Sequence, residues 1–222
     1  PSVSNIVDVY LLERTYDNLF RIWLQEGGSK PTVATADQLR INYSGTLNPL
    51  KSLSDQIIYH PVKYKILFGS NADEQLQATF KVVKNPKTNV SDAVIKTRVI
   101  AAINEFFALD NWDFGDAFYF TELAAYIHNE LAPDLLTAVI VPNQSGQGFG
   151  SLFQIDSAAD EIFISGATVD DVSIITALGA NQLAASGTVI TSTSTATTNT
   201  TTGSAVSGST TTGSGSSTGS SG

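Results

Sequence analysis

Cysteine and methionine are both absent from this chain of 222 residues, and only two histidines, His60 and His128, occur. Without thiols there is no disulfide framework, no thiol nucleophile and none of the usual soft zinc ligands, and intracellular assembly is favoured. Basic residues are scarce as well: 12 Lys and Arg stand against 21 Asp and Glu, a formal net charge of −9. Non-specific affinity for nucleic acid comes largely from Lys and Arg displacing counterions from phosphates, so a nucleic-acid partner is not expected. No apolar run approaches the roughly 20 residues that span a bilayer. The start, PSVSNIVDVYLLERTYDNLF, lacks the basic opening of a signal peptide. The chain therefore reads as soluble and untargeted, with no membrane partner. Its start at Pro1 fits either loss of an initiator methionine or a fragment of a longer protein.

Charge disappears altogether after Asp171, and from Gly187 to Gly222 30 of 36 residues are Ser, Thr or Gly. Such a segment buries too little apolar surface to offset the roughly 1–2 kcal/mol of backbone entropy lost per ordered residue. A low-complexity tail over 181–222 is expected, disordered unless a neighbouring chain holds it. Val189 and Ile190, followed by alternating Thr and Ser, are the candidates for adding a strand to another subunit's sheet.

The remainder is 42% hydrophobic with the tail included, enough for one large domain or two small ones. VDVYLL reads as extended. Tyr16, Leu19, Phe20, Trp23 and Leu24 recur at helical spacing before the stop at Gly27 and Gly28. Residues 34–58 carry mixed signals broken by Gly45 and Pro49. Val62, Tyr64, Ile66 and Phe68 then alternate with Lys63 and Lys65, and Ala78, Phe80 and Val82 repeat the period of two, which predicts an antiparallel pair. Ser91 offers an N-cap to a helix bearing Ile95, Val99, Ile103 and Phe106. Thr121 and Glu122 open another, with Leu123, Tyr126, Ile127 and Leu131 on its apolar face and Pro133 past its end. TAVIVP, LFQI and EIFIS read as three further strands. This order predicts an α+β protein of two successive modules, 1–85 and 86–180, each with helices on a small, mainly antiparallel sheet.

Chemistry is harder to find. The run NWDFGDAFYFTE, 111–122, holds Asp113, Asp116 and Glu122, which could supply the acid and base of a glycosidase if a cleft brought two of them together. Acids beside a helix start more often cap or stay solvated. Eight of the chain's twenty aromatic residues fall between Phe106 and Tyr126, bridging two amphipathic helices, and burial explains them most economically. Trp112, Phe114, Phe118 and Phe120 are expected to pack a corner, with Gly115 permitting the tight turn and the Trp112 indole N–H seeking an acceptor. A calcium loop fails, because Trp112, Phe114 and Thr121 would fall at ligand positions. The two histidines lack partners at metal-ligand spacing. GQGFGS, 146–151, lies between strand-like runs and lacks the Gly-Lys-Ser/Thr ending of a phosphate loop. Asp170 and Asp171, after EIFISGATV, suit a solvated face or an interface with a basic partner better than a cation site. No cofactor, metal or catalytic residue is expected.

Taken together, IIYHPVKYKILFG, LQATFKVVK, NWDFGDAFYFTELAAYIH and FQIDSAADEIFISGATVDDV resemble, in one order and over about residues 5–178, the C-terminal part of the T-even-type phage baseplate wedge subunit. That family is related to the baseplate J proteins of contractile injection systems. The resemblance implies a structural virion protein of the tail baseplate, assembled in the host cytoplasm, with a further N-terminal portion not present here. It implies partners too: other copies of the chain, as a pair in each of six wedges, and other wedge or hub proteins. The wedges join into a ring around the hub and support the change that triggers sheath contraction. It brings no active-site residues, and the Ser/Thr/Gly tail departs from the family pattern. The competing expectation is a carbohydrate-binding or carbohydrate-active module, whose distinguishing feature would be exposed rings.

Overall fold

The computed structural model describes residues 5–47, 49, 55–144 and 154–175. Gly146–Ser151, Val189, Ile190 and the whole of 181–222 lie outside the described residues.

Strand β1 (Ile6–Leu11) pairs in parallel with β2 (Gln56–Pro61), Ile6 opposite Gln56 and Leu11 opposite Pro61. Two helices fill the connection. In α1 (Arg14–Glu26), Tyr16 and Phe20 are buried and Trp23 and Leu24 pack beside them, as their spacing predicts. The helix stops where Gly27, at φ 77°, donates its N–H to the Trp23 carbonyl (2.8 Å). Helix α2 (Ala36–Tyr43) begins at a capping box: Thr35 Oγ1 accepts the Gln38 N–H and Gln38 Oε1 accepts that of Thr35. Leu39 is its buried residue.

Beyond Pro61 the chain passes through buried Val62 directly into β3 (Lys63–Leu67). The alternation expected there is present, but the partner is different. β3 lies parallel to β8 (Glu161–Ser165), Lys63 opposite Glu161 and Leu67 opposite Ser165. β4 (Ala78–Lys84) instead sits between β6 (Leu135–Pro142), antiparallel to it, and β9 (Val172–Ile175), parallel to it. The predicted antiparallel pair of 62–68 with 78–82 therefore does not form. Residues 69–77 are not a hairpin turn: a 3-10 turn at Glu74–Leu76 folds back so that the Phe68 N–H donates to the Leu76 carbonyl (3.1 Å). A short antiparallel pair, β5 (Ala117–Tyr119) with β7 (Gln154–Asp156), completes the described strands.

The class is α+β, as expected, but three of these five pairings are parallel, so the sheets are mixed and not mainly antiparallel. Nor is residue 85 a module boundary. β3 and β4, which precede it, find their partners among β6, β8 and β9, which follow it, and Pro1–Ile190 groups as one compact unit. Among the described residues no helix is long and apolar enough to cross a membrane.

Parallel strands are usually covered on both faces, and the β3–β8 ribbon is covered on one face along its length and on the other at its Leu67 and Phe163 end, while Lys63, Lys65 and Glu161 pair at the surface beyond it. Tyr64, Ile66, Ile162 and Ile164 meet Tyr16 and Phe20 of α1 on one side. Leu67 and Phe163 belong to a larger core on the other. That core is built by α3 (Asp92–Phe106) and α4 (Phe120–Leu131) against Phe80 and Val82 of β4. Ser91 caps α3, its hydroxyl accepting the Val94 N–H (3.4 Å). α4 starts at Phe120, one residue before the expected Thr121.

At the end of β3 the backbone turns left-handed twice, Phe68 at φ 65° and Gly69 at φ 71°. A Cβ on Gly69 would lie 1.9 Å from the Gly166 carbonyl oxygen, and one on Gly166 would lie 2.9 Å from that of Phe68. The Gly166 N–H donates to the Leu67 carbonyl (2.8 Å) across this crossing. The turn swings Phe68 out of the α1-facing row and into the larger core, where it is fully buried, 4.9 Å from the Phe80 ring centroid and 5.9 Å from that of Phe118.

Two polar clusters fasten the periphery. Under α1, the Tyr64 hydroxyl and Arg21 Nε both donate to Asp17 Oδ1. Burial, then the Asp17 acceptor, pushes the Tyr64 phenol well above its ordinary range. After α4, Asp134 accepts from Thr88 Oγ1 (2.5 Å) and Arg98 Nη1 (2.7 Å), which hold its carboxyl below the ordinary 3.8.

Gly69→Ala is expected to lower the unfolding free energy by about 2–4 kcal/mol, from overpacking plus a left-handed backbone. Gly45→Ala, in open space, should stay within ~0.5 kcal/mol. Urea denaturation reads both. For Asp134 the folded pKa lies below the unfolded one, so its contribution is complete above 3.8 and is lost as pH falls through the folded value. Asp134→Asn should therefore melt lower than wild type at neutral pH and lose stability less steeply in thermal melts from about pH 5 to about pH 2.

Candidate functional site

The aromatic corner begins where α3 runs out at Phe106. A 3-10 turn at Leu109–Asn111 brings the chain back, and two side chains tie it to the helix end: Asn111 Nδ2 donates to the Glu105 carbonyl (2.9 Å) and Trp112 Nε1 to that of Phe106 (2.8 Å). The indole thus finds the acceptor that a half-buried N–H requires. Its ring stacks on Phe107 at 5.5 Å, meets Phe163 edge-on at 5.2 Å, and packs against both cores.

Gly115, at φ 81°, makes the turn that follows. Its N–H donates to the Glu161 carbonyl (3.1 Å), while Asp116 Oδ2 accepts the Asp113 N–H (2.8 Å). Ser157 clasps the same turn, its N–H and hydroxyl both reaching the Asp116 carbonyl. β5 then delivers Phe118, fully buried, and the start of α4 delivers Phe120, 5% exposed, against Phe68. Trp112, Gly115, Phe118 and Phe120 are thus brought together at the corner. Phe114 is not: it sits in the turn closed by Asp113 and Asp116 and stays 39% exposed.

The carboxylates of this stretch do not assemble an acid–base pair. Asp116 is engaged by its own turn, and Asp113 and Glu122 are exposed. What the corner does form is an open groove of about 510 Å³, with Asn111, Trp112, Asp116, Tyr119, Glu122 and Tyr126 in its lining. Burial, followed by the nearby charges of Glu105 and Glu130, raises the Tyr126 phenol above its usual value. Sequence reasoning placed Tyr126 on an apolar face and left Tyr119 unassigned. Their spacing with Glu122, three and seven residues on from Tyr119, was the available signal that all three share one side of the α4 start.

Elsewhere the candidate residues part company. Asp171 Oδ2 accepts the Thr168 N–H (2.8 Å) and hydroxyl (3.1 Å), a local cap on the 3-10 turn Val169–Asp171. Asp170 is exposed and borders a separate open groove that includes Lys81 and Lys96. His60 Nε2 lies 2.8 Å from Asp8 Oδ1 across the β1–β2 pair, its ring stacked on Tyr10 at 4.7 Å. His128 lies on α4, its Nδ1 buried without a hydrogen-bond partner among the described residues. No group of three or more His, Asp or Glu among the described residues could hold a metal ion.

The corner's division into core and surface has a direct test. Phe118→Ala should cost roughly 3–5 kcal/mol of stability, and Phe114→Ala less than about 1 kcal/mol, in chemical denaturation. Against known proteins, the chain matches no protein-family model and no curated protein.

Proposed function

We propose that the chain is a structural assembly protein, a wedge component of a contractile phage tail baseplate, whose work is done through contacts with other copies of itself and with neighbouring wedge or hub proteins. On this reading it joins wedges into a ring around the hub and supports the change of shape that releases sheath contraction. Its support is the ordered set of four sequence blocks. They fall on β2–β3, on β4, on the aromatic corner with α4, and on β7 through the turn before β9, segments that contribute residues to both cores.

The single structural observation that favours an assembly role is the β1–β2 pair. Parallel strands rich in Val and Ile are ordinarily covered on both faces. Here Ile6 is 48% and Tyr10 36% exposed, Val7, Val9, Ile57 and Ile58 are only half-buried, and no other described strand joins either edge. Apolar surface of this kind suits a subunit that is covered in its assembly. The competing reading, a carbohydrate-binding or carbohydrate-active module, is favoured by the half-exposed rings of the groove beside Trp112.

Sedimentation over a range of concentrations tests the assembly reading. Reversible self-association is expected, and Ile6→Ser with Tyr10→Ser should weaken it while leaving the melting temperature within a few degrees. A chain that stays monomeric at the highest concentrations counts against it.

A further inference from the structure

The groove beside the corner has a chemistry that the assembly reading does not use. Tyr119, 39% exposed, Trp112 and Tyr126 line it with aromatic rings, and Asp116 and Glu122 line it with carboxylates. The Trp112 N–H is already given to the Phe106 carbonyl, so the indole has no free donor to offer a ligand. Glu105 and Glu130 add negative charge near the Tyr126 phenol. Among the described residues, neither Lys nor Arg lines the groove. By contrast, two other open grooves of similar volume in the described residues include Arg21 in one and Lys81 and Lys96 in the other.

Ring faces attract cations through their quadrupole, and carboxylates add a net charge that a neutral ligand cannot exploit. A guanidinium satisfies both at once. It is planar, more weakly hydrated than an ammonium, stacks on aromatic faces and forks onto carboxylate oxygens. We propose that this groove receives an arginine side chain presented by a segment of a partner protein, with the guanidinium stacked on the exposed rings and paired with Glu122. The inference stands on the groove alone and goes beyond the assembly reading.

The test uses the full chain, ¹⁵N-labelled at tryptophan, with the Trp112 indole resonance identified through Trp23→Phe. The probes are acetyl-Gly-Arg-Gly-amide, the same peptide with citrulline, which is neutral and nearly isosteric, and an N-acetylglucosamine trimer. The arginine peptide should shift the Trp112 resonance saturably, with the citrulline peptide weaker by about fivefold or more. Glu122→Gln and Tyr119→Ala should each weaken the arginine response by severalfold without lowering the melting temperature. The proposal is overturned if the arginine peptide gives no saturable shift, if citrulline matches it, if neither substitution weakens it, or if only the saccharide is bound. None of these outcomes touches self-association, so this inference and the assembly reading fail separately.

Discussion

Everything in the described fold is arranged around one close backbone contact, the crossing of Phe68–Gly69 over Gly166 at the end of the β3–β8 ribbon. No side chain fits between these segments, so the strand end and the turn after β8 meet main chain to main chain. The left-handed step at Phe68 reverses which face its ring takes, moving it from the row packed on α1 to the centre of the larger core. The ribbon thereby becomes a wall shared by the two cores, one on its α1 face and the other at its Leu67 and Phe163 end. The cost of holding a phenylalanine at positive φ is repaid by the ring contacts it makes with Phe80, Phe107, Phe118 and Phe120.

Local structure was readable wherever a local rule governs it. The spacing of Tyr16, Phe20 and Trp23, the Ser91 cap and the alternation along Val62–Ile66 all appear as expected, because each depends on residues within a turn or two of each other. The capping box at Thr35–Gln38 was equally legible and would have placed α2 within the stretch left unassigned. Strand partnership was not. β3 reaches across some hundred residues to β8, a pairing set by which apolar faces must be covered, and two neighbouring strands with a polar connection look identical whether or not they pair.

The corner shows the same division at the scale of a few residues. Aromatic density announced a packed junction, and Trp112, Phe118 and Phe120 fill it. It could not announce that the Asp113–Asp116 turn would leave Phe114 outside, since that depends on which side chain closes the turn. The groove was hidden for a related reason. Its walls come from the end of α3, from the turn and from the start of α4, and only the Tyr119–Glu122–Tyr126 spacing is local enough to be seen in advance. Packing and surface chemistry therefore share one stretch of sequence, the inward rings fixing the positions of the outward ones.

β2 continues into β3 with Val62 as the single residue between them. Any traction on the outlying β1 edge is carried sideways into β2 and then along one covalent strand to the interior wall, with no slack in between. Because β1 and β2 run in the same direction, a pull on the start of one against the end of the other loads their cross-links together and not in succession. The periphery is thus geared to the interior as a tendon is to bone, and a neighbour gripping that edge would have mechanical purchase on the centre of the molecule.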